Sequence, residues 1–308
     1  MRSQRELELL YKGKTLEEVY RFYDSFKGVD GLMRFVKHRP TGNAKVYEYP
    51  GDKRVITVVP SQLHNNKFAK GFRQLFKGFH IVMVESGIDP YFKYARNVNI
   101  GVERALRYSP KWIIVANDDL YRIDNPKRLR KKLLELDDQE IENVWINPAP
   151  EQHHSHYVHL VKRRWIYKVF KRLQSDFSAR FQNTLDRFGA DCVLLYAPFR
   201  WYYHIFFKKV KTFLCTEDFF ILSGTYTAHR YASKKKIYDE IFLNGAEDAW
   251  LSLELENVRS SYIDFKIGSF IGGTHGGPNK VNDFRYGIMN SAIFYNKFKT
   301  AKIVRKTR

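Results

Sequence analysis

Between Lys53 and Asn147 the chain alternates short apolar runs with longer amphipathic stretches. Arg54–Pro60, Phe79–Glu85, Trp112–Asn117 and Val144–Asn147 are runs rich in Val, Ile and aromatic residues, and they predict strands buried on both faces. Lys67–Phe76 and Tyr94–Tyr108 fall between the runs and predict helices. Strand, helix, strand, helix, strand implies crossover connections, hence an α/β fold with a mostly parallel, Rossmann-like sheet flanked by helices. Ligands of such sheets gather outside the carboxyl ends of the strands. That rule singles out Ser61-Gln62, Glu85-Ser86-Gly87 and Asn117-Asp118-Asp119.

The rest of the chain divides around this core. Residues 1–52 read as a polar helical extension, in which Thr15 and Glu18 form a capping box that opens a helix to about Phe26, with Gly28 as its stop. Residues 53–150 form the first half of the core. Residues 151–216 read as an insertion, expected to be helical, basic and aromatic. Residues 217–280 complete the core, with a strand at Phe219–Gly224, helices at Lys234–Phe242 and Glu247–Val258, and a glycine-rich segment at Gly268–Pro278. Residues 281–308 read as a basic tail.

Composition narrows the classes. Of 308 residues, 44% are hydrophobic and 16% aromatic, enough for a substantial core and too many for a disordered or fibrous chain. The net charge of +20 points to an anionic partner: nucleic acid, an acidic membrane surface or a phosphorylated substrate. Two cysteines, Cys192 and Cys215, are too few for a disulfide framework or a four-thiolate zinc site and fit a reducing, cytoplasmic setting. Met1–Lys12 has mixed charge and no apolar h-region, so it does not read as a secretory signal, and no run of eighteen apolar residues occurs.

Three sets of residues carry chemistry. Asp118 and Asp119 follow a buried strand, where hard oxygen donors suit Mg²⁺ or Mn²⁺ bridging a diphosphate, although an Asp pair also serves as turn or capping chemistry. Glu247-Asp248 opens a helix; acids there complement the macrodipole, and the same placement keeps a carboxylate ionised for use as a general base. His275 is framed by Gly272-Gly273 and Gly276-Gly277, which permit close backbone approach to a ligand, with a solvent loop as the alternative. The His153–His159 cluster lacks the paired cysteines or helical spacing of a zinc site and reads as a polar surface loop.

Taken in order, these segments resemble the inverting family-2 glycosyltransferases with the GT-A fold. Val55–Ser61 is similar to the family's first nucleotide-binding strand, which implies donor contacts from Pro60 and Ser61. Val82–Asp89 is similar to the second, with Glu85 at the nucleobase. Ala95–Gly101 resembles an Arg-Asn-x-Gly helix start with one residue more before the glycine, which implies roles for Arg96 and Asn97. Trp112–Asp119 resembles the strand ending in the Asp-x-Asp metal motif. Its first position here is Asn117, so the register assigns the metal to Asp119 and leaves Asp118 with the donor. Ser223-Gly224 matches the small-residue turn beneath the acceptor site. Tyr238–Phe242 followed by Glu247-Asp248 resembles the segment ending in the catalytic base, Asp248. His275, 27 residues beyond, is the candidate to complete the metal shell. The resemblance covers about 53–147 and 219–278. The Gln-x-x-Arg-Trp motif and membrane spans of processive synthases are missing, which implies transfer of a single sugar.

What the resemblance implies is a UDP-, GDP- or dTDP-sugar donor, a glycan, lipid-linked or protein hydroxyl acceptor, and Mn²⁺ or Mg²⁺ as cofactor. Two other classes compete. A nucleic-acid-binding protein would suit the charge and aromatics, but no zinc finger, RRM-type or helix-turn-helix pattern occurs, and nucleic acid is not the expected partner. A sugar nucleotidyltransferase would carry a glycine-rich first loop, and Pro60–Lys67 has no glycine. Residues 151–216 hold twelve Lys/Arg against four Asp/Glu, and Pro198–Lys209 is an aromatic run closed by lysines. With the tail, they read as an acceptor-side, peripheral contact at the inner membrane face, or else as a packed subdomain or homodimer contact.

Overall fold

The computed structural model describes residues 3–146, 155–162, 176–190, 192–197, 211–216, 219–269 and 280–301. Three helices open the chain: α1 (Gln4–Tyr11), α2 (Leu16–Asp24) and α3 (Val29–His38). The capping box at Thr15 is present, with Glu18 N–H donating to the Thr15 hydroxyl and Glu18 Oε2 accepting from Thr15 N–H. The extension is not wholly helical, however. β1 (Lys45–Tyr49) leaves it to pair antiparallel with an edge of the main sheet, because Val46, Tyr47 and Tyr49 supply half-buried residues suited to that edge.

The core follows the expected alternation: β2 (Asp52–Ser61), α4 (Lys67–Leu75), β3 (Phe79–Glu85), α5 (Tyr94–Leu106), β4 (Trp112–Ala116), β5 (Leu120–Ile123), α6 (Pro126–Glu135) and β6 (Asn143–Ile146). Later come β10 (Phe219–Ser223) and β11 (Ser260–Ile263). Seven strands form one sheet in the order β1-β3-β2-β4-β10-β6-β11. The pairings set β2, β3, β4, β6 and β11 in one direction, and β1 and β10 in the other. The protein is therefore α/β with a mixed, mostly parallel sheet.

Alternation along the strands builds two cores. Val55, Val59, Ile81, Met83 and Ile114 face α4 and α6 through Phe72, Phe76, Leu129 and Leu133. Ile56, Val58, Val82, Ile113 and Val115 face α5, through Val98, Val102 and Ala105. Gly101 lets α5 lie close to the sheet: a Cβ there would run into Val58 Cγ1 and stand 3.0 Å from Val84 Cγ2.

The described residues of the insertion depart from the helical expectation. Among them β7 (Ser155–Lys162), α7 (Asp176–Arg187), β8 (Cys192–Ala197) and β9 (Lys211–Thr216) form a three-stranded antiparallel sheet with one helix, β7 in the centre. Val158 and Leu160 alternate into the core and set the strand period. The expected polar histidine loop is thus in part a central strand. His159 is fully buried, with Nδ1 2.8 Å from the Thr212 hydroxyl. His153, His154 and Pro198–Lys209 lie outside the described residues.

The second half differs in two further places. The helix expected at Lys234–Phe242 lies earlier, as α8 (Gly224–Ala232), capped by the Ser223 side chain, and 234–246 is irregular. The basic tail is α10 (Lys280–Thr300), whose Ile288, Met289, Ala292, Ile293 and Phe294 are buried. With Tyr11, Phe22 and Phe35 of the first helices, Leu185 and Phe213 of the insertion, and Trp250, they form a third core. Of the cations that made the segment read as a tail, Lys297 and Lys299 sit on the last turn, and Lys302, Arg305, Lys306 and Arg308 lie outside the described residues.

Candidate active site

The carboxyl ends of β2, β3 and β4 open on a cleft of about 560 Å³. Its lining includes Pro60, Ser61, Ser86, Asn117, Asp118 and Asp119, which the strand-end rule had singled out or flanked, together with Phe92 from the loop before α5 and Tyr94, the first residue of α5. The Ser61 hydroxyl donates to Asp118 Oδ2 at 2.5 Å, tying the ends of β2 and β4. Burial pushes the Asp118 carboxyl above the usual carboxylate range, against the Ser61 hydrogen bond, which favours the ion.

Glu85 ends β3 opposite Ser61. Its Oε2 accepts from the His64 backbone N–H at 2.7 Å and contacts His64 Nδ1 at 2.5 Å, while the His64 ring stacks on Tyr47 at 3.8 Å. Burial raises this carboxyl, but the His64 hydrogen bonds outweigh it and leave the group below its ordinary value. Arg96 and Asn97 do not line the cleft. Arg96 donates to the Gly42 carbonyl at 2.7 Å, and Asn97 is buried within α5. Gly101 serves helix–sheet packing.

Asp248 stands in the first turn of α9 (Glu247–Leu255). No side chain caps this helix: Ala246 occupies the N-cap with φ 65°, Asn244 has φ 50°, and Gly245 N–H donates to Glu247 Oε2 at 2.5 Å. Two non-glycine residues in the left-handed region store backbone strain just before the acidic pair, as functional segments often do. Asn244 fastens this segment to the cleft wall, accepting from Tyr94 N–H at 2.9 Å and donating to the Phe92 carbonyl at 3.4 Å. From the other side Asn290 of α10 pairs with both the N–H and the carbonyl of Leu243.

Tyr94 and Tyr238 bridge the two halves. The Tyr94 hydroxyl donates to Asn117 Oδ1 at 2.5 Å, and its ring lies 5.8 Å from that of Tyr238. The Tyr238 hydroxyl lies against Asp248; burial, then that negative charge, raise the phenol well above its ordinary value. Asp248 is thereby coupled to the cleft through side chains that sequence reasoning missed. Asn244-Gly245 reads as a turn in the sequence, which could have flagged Asn244; nothing local marks Tyr94.

The glycine-rich segment begins beside the aspartates. β12 (Ile267–Ser269) pairs with β5, setting Ser269 opposite Leu120, the residue after Asp119. His275 lies outside the described residues. Ser223-Gly224 is not beneath the cleft: β10 runs antiparallel, so Ser223 pairs with Trp112 at the opposite end of β4 from Asp118. Gly224 is needed there because a Cβ would collide with the Pro110 carbonyl. Trp250 is a core residue, buried and donating to Glu254 Oε1 at 3.0 Å.

Asp118 and Asp119 offer hard oxygen donors at the cleft. Among the described residues no group of three or more His, Cys, Asp or Glu gathers. Two carboxylates alone suit a cation that completes its shell with phosphate oxygens and water, as Mg²⁺ does. Among the described residues no helix is long and apolar enough to cross a membrane. No family model matches the chain, and no curated protein matches it.

Proposed function

We propose that the protein is an inverting glycosyltransferase of the GT-A type, moving one sugar from a nucleotide-diphosphate sugar to a hydroxyl acceptor. The observation that carries this reading is the convergence of Ser61, Asp118 and Asp119 on one cleft, to which the strained segment before Asp248 is fastened by Asn244. The donor diphosphate lies along the ends of β2 and β4, and the nucleobase toward Glu85 and His64. Asp119 would hold the divalent ion with Asp118 beside it, and the resemblance makes His275, outside the described residues, the candidate for a further ligand. When bound, Mn²⁺ or Mg²⁺ neutralises charge growing on the departing diphosphate. A sugar hydroxyl is too weak an acid to be ionised beforehand, so Asp248 takes its proton as attack proceeds on the face opposite the leaving group, which inverts the anomeric carbon.

The test is nucleoside diphosphate release from UDP-, GDP- and dTDP-sugars with Mn²⁺, alongside calorimetry of the matching nucleotide. Asp119→Ala is expected to abolish the Mn²⁺-dependent part of nucleotide affinity. Equal affinity in EDTA for wild type and variant refutes the shared ion. Pyrophosphate-dependent turnover in place of diphosphate release makes the protein a nucleotidyltransferase.

A further inference from the structure

The face of the sheet covered by α4 and α6 carries a charge distribution that the cleft does not use. Both helices bury an apolar stripe, Ala69 and Phe72 with Phe76 just past the end of one, Leu129 and Leu133 on the other, against the same core. Their outer faces are cationic. Lys67, Lys70, Lys77, Lys127, Arg128 and Lys131 are all exposed. α4 has no acidic residue and α6 has one, Glu135, 3.9 Å from Lys131. Arg130 reaches from α6 to the Gly78 carbonyl just past α4 at 2.8 Å, joining the two helices into one surface. Like charges crowded with few counter-ions repel one another, and an anionic partner relieves that repulsion.

The second observation is apolar. Among the described residues six large apolar side chains are well exposed, and four of them stand at the cleft end of this surface: Leu63 (37%), Phe68 (42%), Ile88 (84%) and Tyr121 (53%). Phe68 and Ile88 line the cleft itself. Leu63 lies in the loop that enters α4, its carbonyl accepting from Asn66 N–H, and the 61–63 and 86–88 loops are joined by Gly87 N–H to the Gln62 carbonyl at 2.9 Å. Tyr121 belongs to β5, which packs on α4.

We infer that the α4–α6 face and this apolar rim together dock on an anionic lipid bilayer, with the cleft mouth held at the headgroup level. Lysines and arginines supply attraction to lipid phosphates, and exposed aromatic and aliphatic side chains partition into the interface. A nucleic acid satisfies the cations but has no use for Leu63 and Ile88, aliphatic side chains that offer no stacking surface. The inference does not depend on the donor chemistry, so its failure and that of the glycosyltransferase reading are read in separate assays. It also assigns membrane contact to a face different from the basic insertion that composition alone favours.

The experiment is sedimentation of the full-length protein with vesicles of phosphatidylcholine, with and without phosphatidylglycerol, at low salt. Wild type is expected to pellet with the anionic vesicles and not with the neutral ones. A Lys67→Glu, Lys70→Glu, Lys127→Glu, Lys131→Glu variant is expected to lose at least about two orders of magnitude in partitioning, because each cation near an anionic surface contributes several-fold. Leu63→Ser with Ile88→Ser is expected to weaken binding by about tenfold and to leave the salt dependence unchanged. The same four lysines changed to Gln, with an unchanged melting temperature, guard against a folding defect. Partitioning of either four-site variant equal to wild type overturns the inference, as does failure of wild type to pellet. Low-salt binding of a short DNA duplex that the four substitutions abolish, without vesicle binding, makes the face a nucleic-acid surface instead.

Discussion

Arg39 is the residue whose loss is expected to reach furthest, and the effect follows from its surroundings. Its guanidinium is buried between the N-terminal helices and the cleft wall, with side-chain exposure of 3% against 1% for its partner Glu8. Nε donates to Glu8 Oε1 at 2.7 Å and Nη2 to the Pro90 carbonyl at 2.5 Å, and the cation lies 5.2 Å from the Tyr11 ring. Arg39→Ala leaves the buried Glu8 charge without its hydrogen-bonded partner, with only the more distant Lys12 and Lys93 to offset it, and loosens the loop that carries Tyr91 and Phe92. Breaking a buried pair from one side costs roughly 3–5 kcal/mol, a large fraction of the roughly 5–15 kcal/mol that holds a domain together. Removing both charges by Arg39→Met with Glu8→Leu is expected to restore stability to within about 1.5 kcal/mol of wild type, since apolar replacements of buried pairs are often neutral. The pH dependence has a definite sign. Burial raises the Glu8 carboxyl above its ordinary value even against Arg39. A carboxyl raised on folding favours the fold when protonated and loses that contribution as pH rises through its folded pKa. Without Arg39 the pKa rises further, so the deficit of Arg39→Ala is larger at pH 8 than at pH 5. Urea unfolding at both pH values, with hydrogen exchange over 86–94, measures this. A deficit below about 1 kcal/mol, or a double variant as unstable as Arg39→Ala, refutes the reasoning.

Three further outcomes are expected. Asp248→Asn abolishes sugar transfer while nucleotide affinity stays within about twofold, since the amide keeps the shape and cannot take a proton; transfer within tenfold of wild type moves the base to Glu247. Glu48 is pushed up by burial, but hydrogen bonds from Tyr108, Arg104 and His80 outweigh this and hold it at about 2. Glu48→Gln therefore costs roughly 2–3 kcal/mol near neutrality, and the difference from wild type closes as pH falls from about 4.5 toward 2, which melting curves across that range check. Gly101→Ala forces α5 off Val58 and Val84 and is expected to cost about 1–3 kcal/mol in a denaturant titration, whereas a purely ligand-facing glycine would leave stability unchanged.

The strands of the core were legible because they are buried on both faces. Val55–Val59, Ile81–Val84 and Ile113–Val115 have no polar face to serve, so their apolar runs announce the element, and the helices between them announce the parallel crossovers. The aspartates after β4 and the acidic pair opening α9 were legible as polar positions for a related reason, since strand and helix ends are where the chain must expose polar groups. The described strands of the insertion and α10 were misread because charge dominated the reading, although alternation at Val158 and Leu160 and the buried residues from Ile288 to Phe294 decide those elements. The position of Ser223-Gly224 could not be read at all, because the direction of β10 depends on pairing with β4, a contact across more than a hundred residues.

Within the chain itself, local patterning determined the α/β class, the sheet's parallel strands and the candidate acids, since each depends on a residue's own burial or on neighbours a few positions away. Tertiary structure alone decided which of them share a cleft. Ser61 meets Asp118, Asn244 meets Tyr94, and Tyr238 meets Asp248, while Arg96 turns away to Gly42. All but Tyr238–Asp248 are long-range contacts chosen by how the sheet twists and the helices pack, and no periodicity along the chain encodes a hydrogen bond between residues 150 positions apart.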